Sequence, residues 1–312
     1  MAYYLAVDAG GTKADFLLAE EEHELARVRC GTIKRTNADE AETRASLEQA
    51  LHELEQRTGV SPAQVKRTCI GTSGETVPLV TEWLHKSFSD RVGGELVIVG
   101  DVEIALDAAF SYGGGNGRGV LVLAGTGSNV AARDAYGAIM HSGGWGPMLA
   151  DQGAGHWIGL EGLRRGFLAR DEGRQTELLE RARKLWDLPS EDALIEFANA
   201  QPPQRYASQF AKEVAACADA GDSIAAGILE QGGRDLAHLA SLLIERMRAT
   251  EGVEFHVPDV ARAGSIMKNV RRLVRALEDA LRARYPEIRF VPEAVDPIRG
   301  ALWRAMQGAS GK

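Results

Sequence analysis

One stretch near the start of the chain decides the fold, Tyr3-Tyr4-Leu5-Ala6-Val7-Asp8-Ala9-Gly10-Gly11-Thr12-Lys13. Its apolar first half predicts a buried strand, and its two glycines predict a tight turn directly after that strand. A glycine lets the backbone come close to a phosphate because no Cβ stands in the way. Successive backbone N–H groups at such a turn form a concave site for an anion.

A second stretch repeats this design, Val120-Leu121-Val122-Leu123-Ala124-Gly125-Thr126-Gly127-Ser128-Asn129. It is again an apolar run that breaks into glycines with hydroxyl side chains beside them. Two such turns in one chain predict two related lobes, each of which offers backbone N–H groups and a hydroxyl to one polyphosphate. Neither stretch matches the P-loop or the dinucleotide-binding fingerprint, so a nucleotide held by two hairpin turns is the remaining interpretation.

The bulk composition is that of an ordinary globular protein, with 312 residues of which 45% are hydrophobic and 26% are charged. The formal net charge of −8 argues against general nucleic-acid binding. The three cysteines are scattered, which fits a reducing compartment better than a disulfide framework or a metal site. No uncharged run approaches the roughly 18 residues that span a bilayer, and no signal peptide is recognisable. We therefore expect a cytoplasmic protein with no membrane or nucleic-acid partner.

Predicted strands alternate with predicted helices, which is typical of the α/β class. The glycine-rich segment 112–117 is the strongest candidate linker. We place the domain boundary there, with a first lobe over residues 1–113 and a second lobe over residues 118–312, whose last helix is free to pack back on the first lobe. Strands are predicted at 3–7, 16–19, 66–70, 95–99, 120–124, 259–263 and 288–291, a strand hairpin at 133–140, and helices at 42–57, 77–88, 102–110, 222–247 (one helix, or two that meet at Gly232-Gly233), 268–284 and 297–306.

Two aspartates that follow or end predicted strands are the candidate chemical groups. Asp8 precedes the first glycine turn, where a carboxylate can hold Mg²⁺ beside a phosphate. The alternative for Asp8 is that it only caps the turn. Asp101 begins a predicted helix, so it is either a helix N-cap or, in a phosphoryl-transfer site, the group that accepts the proton of an attacking hydroxyl. We assign the metal to Asp8 and the role of general base to Asp101.

A third glycine-rich segment contains an aromatic residue, Ser142-Gly143-Gly144-Trp145-Gly146, and is followed by Asp151-Gln152-Gly153. An aromatic ring among glycines offers a flat apolar wall beside accessible backbone polar groups, an arrangement that suits a sugar. The alternative is that Trp145 fills the core and the glycines form an ordinary loop.

Six motifs follow one another along the chain: Asp8-x-Gly10-Gly11-Thr12, Gly100-Asp101, Gly125-Thr126-Gly127-Ser128, Gly143-Gly144-Trp145-Gly146, Asp151-x-Gly153 and Ala263-Gly264-Ser265. In this order and combination they resemble the motifs of N-acetylglucosamine kinases. Those enzymes belong to the BadF/BadG/BcrA/BcrD-type ATPases within the actin, hexokinase and heat-shock-chaperone ATPase superfamily. The resemblance covers nearly the whole chain. It is specific for the group and much less specific for the sugar.

The resemblance implies a two-lobed, ribonuclease-H-like (actin-like ATPase) α/β fold with a nucleotide cleft between the lobes. It implies an enzyme that uses ATP and Mg²⁺ to phosphorylate the 6-hydroxyl of a small amino sugar, with N-acetylglucosamine as the first expectation. Homologous kinases are often dimers, so a homodimer is a further expectation.

The resemblance also assigns roles to individual residues. Asp101 corresponds to the base that accepts the proton of the sugar 6-hydroxyl, and Asp8 serves Mg²⁺. Three of the sugar-binding positions, Gly144, Trp145 and Gly146, fall where the family holds the N-acetyl group. The nucleotide-binding positions are Gly10, Gly11, Thr12, Lys13, Gly125, Thr126, Gly127, Ser128, Gly264 and Ser265, and the further sugar-binding positions are Asn37, Ser73, Asp101, Thr126 and Asp151.

The sequence departs from the family pattern at Gln152, where relatives commonly carry glutamate, and this leaves the identity of the amino sugar open. Glucosamine or a muramic-acid-type cell-wall sugar is the alternative substrate. A further alternative is an ATPase that drives a partner protein and uses no sugar. The cysteines match no iron–sulfur arrangement of the electron-transferring ATPases, and the Trp145 loop also weighs against that alternative.

Overall fold

The computed structural model describes residues 2–200, 202–203 and 206–307. The chain divides into two compact units. The first unit consists of the residues up to Gly117 together with those from Val295 onward, and the second consists of Arg118–Ala294. The chain thus passes from the first unit to the second after Gly117 and returns at Val295.

The first unit is built on a five-stranded mixed sheet. Its elements are β1 Tyr3–Ala9, β2 Lys13–Glu20, β3 His23–Gly31, α1 Glu40–Thr58, β4 Val65–Thr72, α2 Pro78–Ser89, β5 Glu95–Val99, α3 Asp101–Phe110 and the carboxyl-terminal helix α11 Pro297–Gln307. The strand order is β3-β2-β1-β4-β5. β1 and β2 are an antiparallel hairpin whose last pair is Ala9 with Ala14. β1 pairs with β4, and β4 with β5, in parallel.

The second unit repeats this sheet. Its elements are β6 Gly119–Ala124, β7 Ser128–Arg133, β8 Ile139–Ser142, α4 Gly155–Asp171, α5 Leu178–Leu185, α6 Glu191–Ala200, α7 Ala207–Asp219, α8 Ser223–Glu251, β9 Val260–Ala263, α9 Ser265–Asn269, α10 Arg271–Arg284 and β10 Phe290–Val295. The strand order is β10-β9-β6-β7-β8, with an antiparallel β6–β7 hairpin and a parallel β6–β9 pair. In each sheet the first strand, β1 or β6, lies in the middle. The next two strands of the chain lie on one side of it, and two later strands lie on the other side.

The parallel strands position the candidate residues of the first unit. β1, β4 and β5 run in the same direction, so the residues that follow them emerge at one edge of the sheet. Gly10, Ser73 and Asp101 all lie just beyond these strand ends. Ligand sites in open α/β sheets gather at the carboxyl ends of parallel strands.

The two mixed sheets with flanking helices confirm the α/β class. The long helix α8 passes through Gly232 and Gly233 without a break. These two glycines are the places where the helix packs closely against neighbouring elements. A Cβ on Gly233 would lie 2.4 Å from the carbonyl oxygen of Leu273 on α10. No helix among residues 2–200, 202–203 and 206–307 is both long and apolar enough to cross a membrane.

Several elements differ from the sequence-based prediction. No bounds were predicted for helices α4 to α7, and β7 spans Ser128–Arg133, before the strand hairpin predicted over 133–140. The helix predicted over 268–284 is divided at Val270 into α9 and α10. Strand β3 was not predicted, and its burial pattern explains this. It lies at the edge of the sheet, pairs with β2 alone, and is mostly half-buried or exposed, so its apolar residues do not alternate clearly.

Helix α11 closes one face of the first sheet. Its residues Ile298 and Leu302 are fully buried in a cluster with Ile104 of α3. The two helices meet so closely at Gly300 that a Cβ there would lie 1.8 Å from the carbonyl oxygen of Ile104. On the same helix, the Arg304 guanidinium donates to the buried Asp107 carboxylate at 2.7 Å.

Replacing Gly300 with alanine is expected to force α11 away from α3. Overpacking of this kind costs about 1–3 kcal/mol of unfolding free energy, even though alanine is the better helix former. Urea unfolding of the variant measures the loss. Gly227→Ala in α8, where no atom lies within 4 Å of the new methyl group, is the matched control and should be neutral or slightly stabilising. Equal stability of both variants would contradict the close packing at Gly300.

Candidate active site

The first glycine turn, residues Gly10–Lys13, joins β1 to β2. The turn is tight, because a Cβ on Gly10 would lie 2.9 Å from the carbonyl oxygen of Lys13. The loop after β3 braces it, since the Thr32 hydroxyl donates to the carbonyl oxygen of Gly10 at 2.9 Å. The Asn37 side-chain nitrogen would lie 3.2 Å from a Cβ on Gly11. The structure thus brings Asn37 beside the turn.

Asp8 lies in β1, two residues before the turn, and is half-buried. Its pKa is raised to about 7, mainly because burial disfavours the charged carboxylate. The negative charges of three other aspartates raise it as well, and Arg27 acts in the opposite direction. Those aspartates are, in order of effect, Asp101, Asp15 and Asp296. A buried carboxylate with other carboxylates nearby favours the approach of a cation.

These residues fit Mg²⁺ in the way that kinases usually hold it. Mg²⁺ prefers oxygen ligands, keeps several waters, and is commonly bound by one or two carboxylates together with substrate phosphates. Over the described part of the chain, no group of three or more His, Cys, Asp or Glu residues is close enough to hold a metal by itself. Asp8 is therefore suited to a shared site completed by phosphate oxygens.

Asp101 is the first residue of α3 and follows β5 through Gly100. One of its carboxylate oxygens accepts a 2.9 Å hydrogen bond from the Val102 backbone N–H. Burial raises the pKa of Asp101 above its ordinary value, and the Glu75 carboxylate raises it further, while the Val102 hydrogen bond and the Lys34 ammonium lower it. A buried carboxylate with a raised pKa is a stronger proton acceptor than an exposed one.

The second glycine turn, Gly125–Ser128, joins β6 to β7 within the second unit. The Gly125 N–H donates to the Gly127 carbonyl oxygen at 2.8 Å. Gly264 lies against this turn with a φ of +96°, and a Cβ there would lie 2.3 Å from the carbonyl oxygen of Ala124. The Ser265 hydroxyl lies 3.8 Å from where a Cβ on Gly125 would be. The structure therefore brings Gly264 and Ser265 beside the second glycine turn.

Asp151 lies next to the same turn in a conformation that non-glycine residues rarely adopt, with φ of +65°. Its carboxylate oxygen would be 2.9 Å from a Cβ on Gly127, so a side chain at position 127 would force the Asp151 carboxylate to shift. Burial raises the pKa of Asp151, while the Ser128 backbone N–H and nearby His156 lower it. Strained backbone of this kind clusters at functional sites.

Three buried polar atoms around Asp151 have no hydrogen-bond partner among the described residues. They are Asn129 Oδ1, Gln152 Oε1 and His156 Nε2. Buried polar atoms are nearly always paired in native proteins, so these atoms indicate a place where a ligand or water supplies the partner. The sequence analysis assigned no binding role to any of them. A lone histidine or asparagine carries no spacing signal, and only their position beside Asp151 reveals them.

The glycine-rich segment with Trp145 follows β8. Gly144 has a φ of +72°, and a Cβ there would lie 2.9 Å from the Asn129 side chain. The Trp145 side chain does not fill the core, because 74% of the residue is exposed. The alternative in which Trp145 is a core residue is therefore wrong.

The structure thus forms two groups of candidate residues, one in each unit. The first unit places Asp8, the first glycine turn, Asn37, Ser73 and Asp101 at one sheet edge. The second unit places the remaining candidates around the second glycine turn or on the loop after β8; they are Gly125, Thr126, Gly127, Ser128, Gly144, Trp145, Gly146, Asp151, Gly264 and Ser265.

A family model of BadF/BadG/BcrA/BcrD ATPases matches residues 5–305 of this sequence. The chain belongs to the BadF/BadG/BcrA/BcrD ATPase family. It is 24% identical to an N-acetylmuramic acid/N-acetylglucosamine kinase from Clostridium acetobutylicum and 26% identical to an N-acetyl-D-glucosamine kinase from Dictyostelium discoideum. Each match covers 97% of both chains. The resemblance inferred from the motifs is confirmed.

Solved structures confirm the two-lobed actin-like fold of this family member. A crystal structure from Chromobacterium violaceum, provisionally named as an N-acetylglucosamine kinase, superposes with a TM-score of 0.74 at 24% identity and covers 97% of this chain and 98% of its own. A ROK family glucokinase from Streptomyces griseus, crystallised with glucose and AMPPNP, gives a TM-score of 0.61 at 15% identity, covering 98% of this chain and 100% of its own.

Replacing Asp8 with asparagine is expected to stabilise the metal-free protein at pH 8 by about 1–3 kcal/mol. The folded-state pKa of about 7 exceeds the ordinary 3.8, so stability supplied by the protonated form is lost as the pH rises through this window. The advantage of the variant should therefore shrink below pH 7 and nearly vanish near pH 4. Denaturant unfolding in the presence of a chelator, repeated across this pH range, measures it.

The matched control is Asp15→Asn in the neighbouring strand β2. Asp15 accepts two hydrogen bonds from the Arg29 guanidinium, at 2.8 and 3.0 Å, so its replacement should lower stability. If both variants lost stability, the ionised Asp8 carboxylate would not be lowering the free energy of unfolding of the native protein, and the prediction would be contradicted.

Proposed function

We propose that the protein transfers the γ-phosphoryl group of ATP to the 6-hydroxyl of an amino sugar, with N-acetylglucosamine as the substrate. The observation that carries the proposal is the half-buried Asp101 carboxylate, which follows the parallel strand β5 at the sheet edge where β1 leads into the first glycine turn, close enough to Asp8 to raise the pKa of that carboxyl. Membership of the ATPase family supports the use of ATP. The names of the two full-length relatives support N-acetylglucosamine as the substrate.

The two glycine turns are the proposed phosphate-binding elements. Each follows a buried strand and carries a residue with a hydroxyl group, Thr12 or Thr126. Lys13 adds a positive charge at the first turn. Gly264 and Ser265 would hold the adenosine, because they lie against the second glycine turn. Such contacts position the phosphates and stabilise charge, which is most of what phosphoryl transfer requires.

Asp8 would hold Mg²⁺ together with phosphate oxygens. The ion would neutralise phosphate charge and draw electron density from the phosphorus that is attacked. The raised pKa of Asp8 is the cost of keeping this carboxylate buried and ready for the metal.

Asp101 is the proposed general base. Its carboxylate takes the proton of the sugar 6-hydroxyl as the bond from that oxygen to the γ-phosphorus forms. The bond between the γ-phosphorus and the oxygen bridging it to the β-phosphate breaks, and ADP leaves with that electron pair. The hydrogen bond from the Val102 N–H fixes one oxygen of Asp101 and leaves the other for the substrate.

In the first unit, the proposed sugar-binding residues are Asn37, Ser73 and Asp101. Asn37 lies beside the first glycine turn, and Ser73 follows β4. In the second unit, Asp151 is held in strained backbone near three unpaired buried atoms. Thr126 at the second glycine turn would also contact a sugar hydroxyl. On the loop after β8, the exposed Trp145 ring and its flanking glycines would receive the N-acetyl group.

The experiment that tests the proposed function measures phosphate transfer from ATP to four sugars side by side: N-acetylglucosamine, glucosamine, N-acetylmuramic acid and glucose. We expect sugar phosphate from N-acetylglucosamine with a kcat/KM well above that for glucose. ATP hydrolysis without sugar should be far slower. Rapid hydrolysis that no sugar stimulates would contradict the proposal and favour an ATPase that drives a partner.

Replacing Asp101 with asparagine should lower kcat by about 10²–10⁴-fold, because the amide cannot accept the proton. The affinity for ATP should change little, as Asp101 is not assigned to the nucleotide. Steady-state kinetics gives kcat, and calorimetric titration with an ATP analogue gives the affinity. Glu103→Gln, two residues further along α3, is the matched control that removes a carboxylate paired with Arg304. Near-normal turnover of the Asp101 variant would remove it from the role of base.

Replacing Trp145 with alanine should raise KM for the sugar by roughly 10-fold, the effect of about 1.4 kcal/mol of lost contact, and leave KM for ATP nearly constant. The reason is that the ring is assigned to the N-acetyl group alone. Tyr136→Ala, an equally exposed aromatic residue on the β7–β8 connection, is the control. If KM for ATP rose as much as KM for the sugar, the Trp145 ring would not be a specific contact of the sugar.

A further inference from the structure

Lys34, in the loop between β3 and α1, contacts Ser73, one of the proposed sugar-binding residues of the first unit. Its ammonium nitrogen donates a hydrogen bond to the Ser73 hydroxyl oxygen at 2.8 Å. Its side-chain carbons lie beside the next residue, where a Cβ on Gly74 would be 3.4 Å from the Lys34 Cε. The sequence analysis assigned no role to Lys34, because a single lysine in a loop carries no spacing signal.

The loop that carries Lys34 is held at both of its ends. The Lys34 backbone N–H donates to the Thr32 hydroxyl at 3.1 Å, and that hydroxyl donates to the Gly10 carbonyl oxygen of the first glycine turn at 2.9 Å. At the other end, the Asp39 side chain caps helix α1 by accepting the Glu42 backbone N–H at 2.9 Å. The Lys34 side chain therefore extends from a braced backbone.

The chemistry of the two groups fixes the direction of the hydrogen bond between Lys34 and Ser73. An ammonium group has three N–H donors and no acceptor, whereas a hydroxyl can both donate and accept. The Ser73 oxygen must therefore accept from Lys34, and its own O–H remains to be donated. Among the residues that the structure describes, no atom accepts this O–H, and Ser73 is exposed. A ligand that reaches Ser73 thus meets a hydrogen-bond donor.

The positive charge of Lys34 also acts on the proposed general base. It lowers the pKa of the Asp101 carboxylate, against the effects of burial and of Glu75. Ser73 and Asp101 follow the neighbouring parallel strands β4 and β5 at one sheet edge. This edge therefore offers a substrate two opposite groups, a donor at Ser73 and an acceptor at Asp101.

We propose that Lys34 is a positioning residue, which holds the Ser73 hydroxyl as a hydrogen-bond donor for an acceptor oxygen of the sugar. The inference rests on the proposed kinase function and specifies how its first unit recognises the sugar. A serine hydroxyl without such a neighbour rotates freely and can donate or accept, so ordering it on binding costs free energy. Lys34 lowers this cost because it leaves the hydroxyl one role.

Steady-state kinetics and calorimetric titration with N-acetylglucosamine test the role of the pair. Lys34→Met, which removes all N–H donors, should raise KM and Kd for the sugar about 5-fold, the effect of one hydrogen bond, and change kcat less than about 2-fold. In a Ser73→Ala background the same substitution should have no further effect, because Lys34 acts through that hydroxyl. Lys34→Arg should stay near the wild-type KM, since a guanidinium also only donates. Lys86→Met on the exposed face of α2 is the matched control.

Deoxy and deoxyfluoro analogues of N-acetylglucosamine, modified at C3 or at C4, test the direction of the hydrogen bond. Carbon-bound fluorine accepts a hydrogen bond weakly and cannot donate one. At the position that Ser73 contacts, the wild type should bind the fluoro analogue about 3-fold more tightly than the deoxy analogue, and Ser73→Ala should not distinguish the two. Equal binding of both analogues at both positions would show that Ser73 does not donate to the sugar, and the inference would be overturned.

The kinetic outcomes separate failure of this inference from failure of the kinase function. If the wild type phosphorylates N-acetylglucosamine but the effects of Lys34→Met and Ser73→Ala on KM multiply, the two residues act independently, so the inference is overturned and the kinase function stands. If Lys34→Met lowers kcat and leaves KM unchanged, Lys34 acts on Asp101 or on the phosphates, and the inference is again overturned. If the wild type phosphorylates no sugar, the proposed function itself fails.

Discussion

The arrangement of the first unit depends on two half-buried carboxylates, Asp8 and Asp101, that lie close enough for Asp101 to raise the pKa of Asp8. Their strands, β1 and β5, flank β4 in a parallel arrangement, so both side chains appear at the same sheet edge. In isolation this arrangement is unfavourable, because like charges in a poorly solvated place disfavour ionisation. The sheet holds both side chains in place despite this unfavourable charging. The positive charge of Arg27 offsets part of it, because it lowers the pKa of Asp8. A bound cation and a hydroxyl proton are the partners that such a pair is suited to receive.

The repeated sheet explains how each short glycine turn is held in place. Each turn closes a hairpin whose strands are paired up to its edge, Ala9 with Ala14 and Ala124 with Ser128. The turn residues are therefore positioned by the sheet, and their conformation does not depend on a flexible loop. Gly264 and Asp151 then converge on the second turn, with backbone conformations that suit glycine and strain aspartate.

Much of this arrangement could be predicted from the sequence. Buried strands such as β1 and β6 are continuous apolar runs that end at glycines. The apolar run predicts the strand and the glycines predict its end, so the two signals agree. The edge strand β3 could not be predicted, because its half-buried residues lack clear alternation. Asn129 and His156 were missed for another reason: each is a single polar residue whose meaning appears only when tertiary packing leaves it buried without a partner.

The central claim is that the Asp101 carboxylate receives the proton of the sugar 6-hydroxyl. A crystal structure with N-acetylglucosamine and a non-hydrolysable ATP analogue tests it most directly. The account predicts a carboxylate oxygen of Asp101 at about 2.6–3.2 Å from the sugar 6-oxygen, the distance needed for proton transfer. An ordered sugar whose 6-hydroxyl points away from Asp101, with that carboxylate bound to a different hydroxyl or to none, would contradict it.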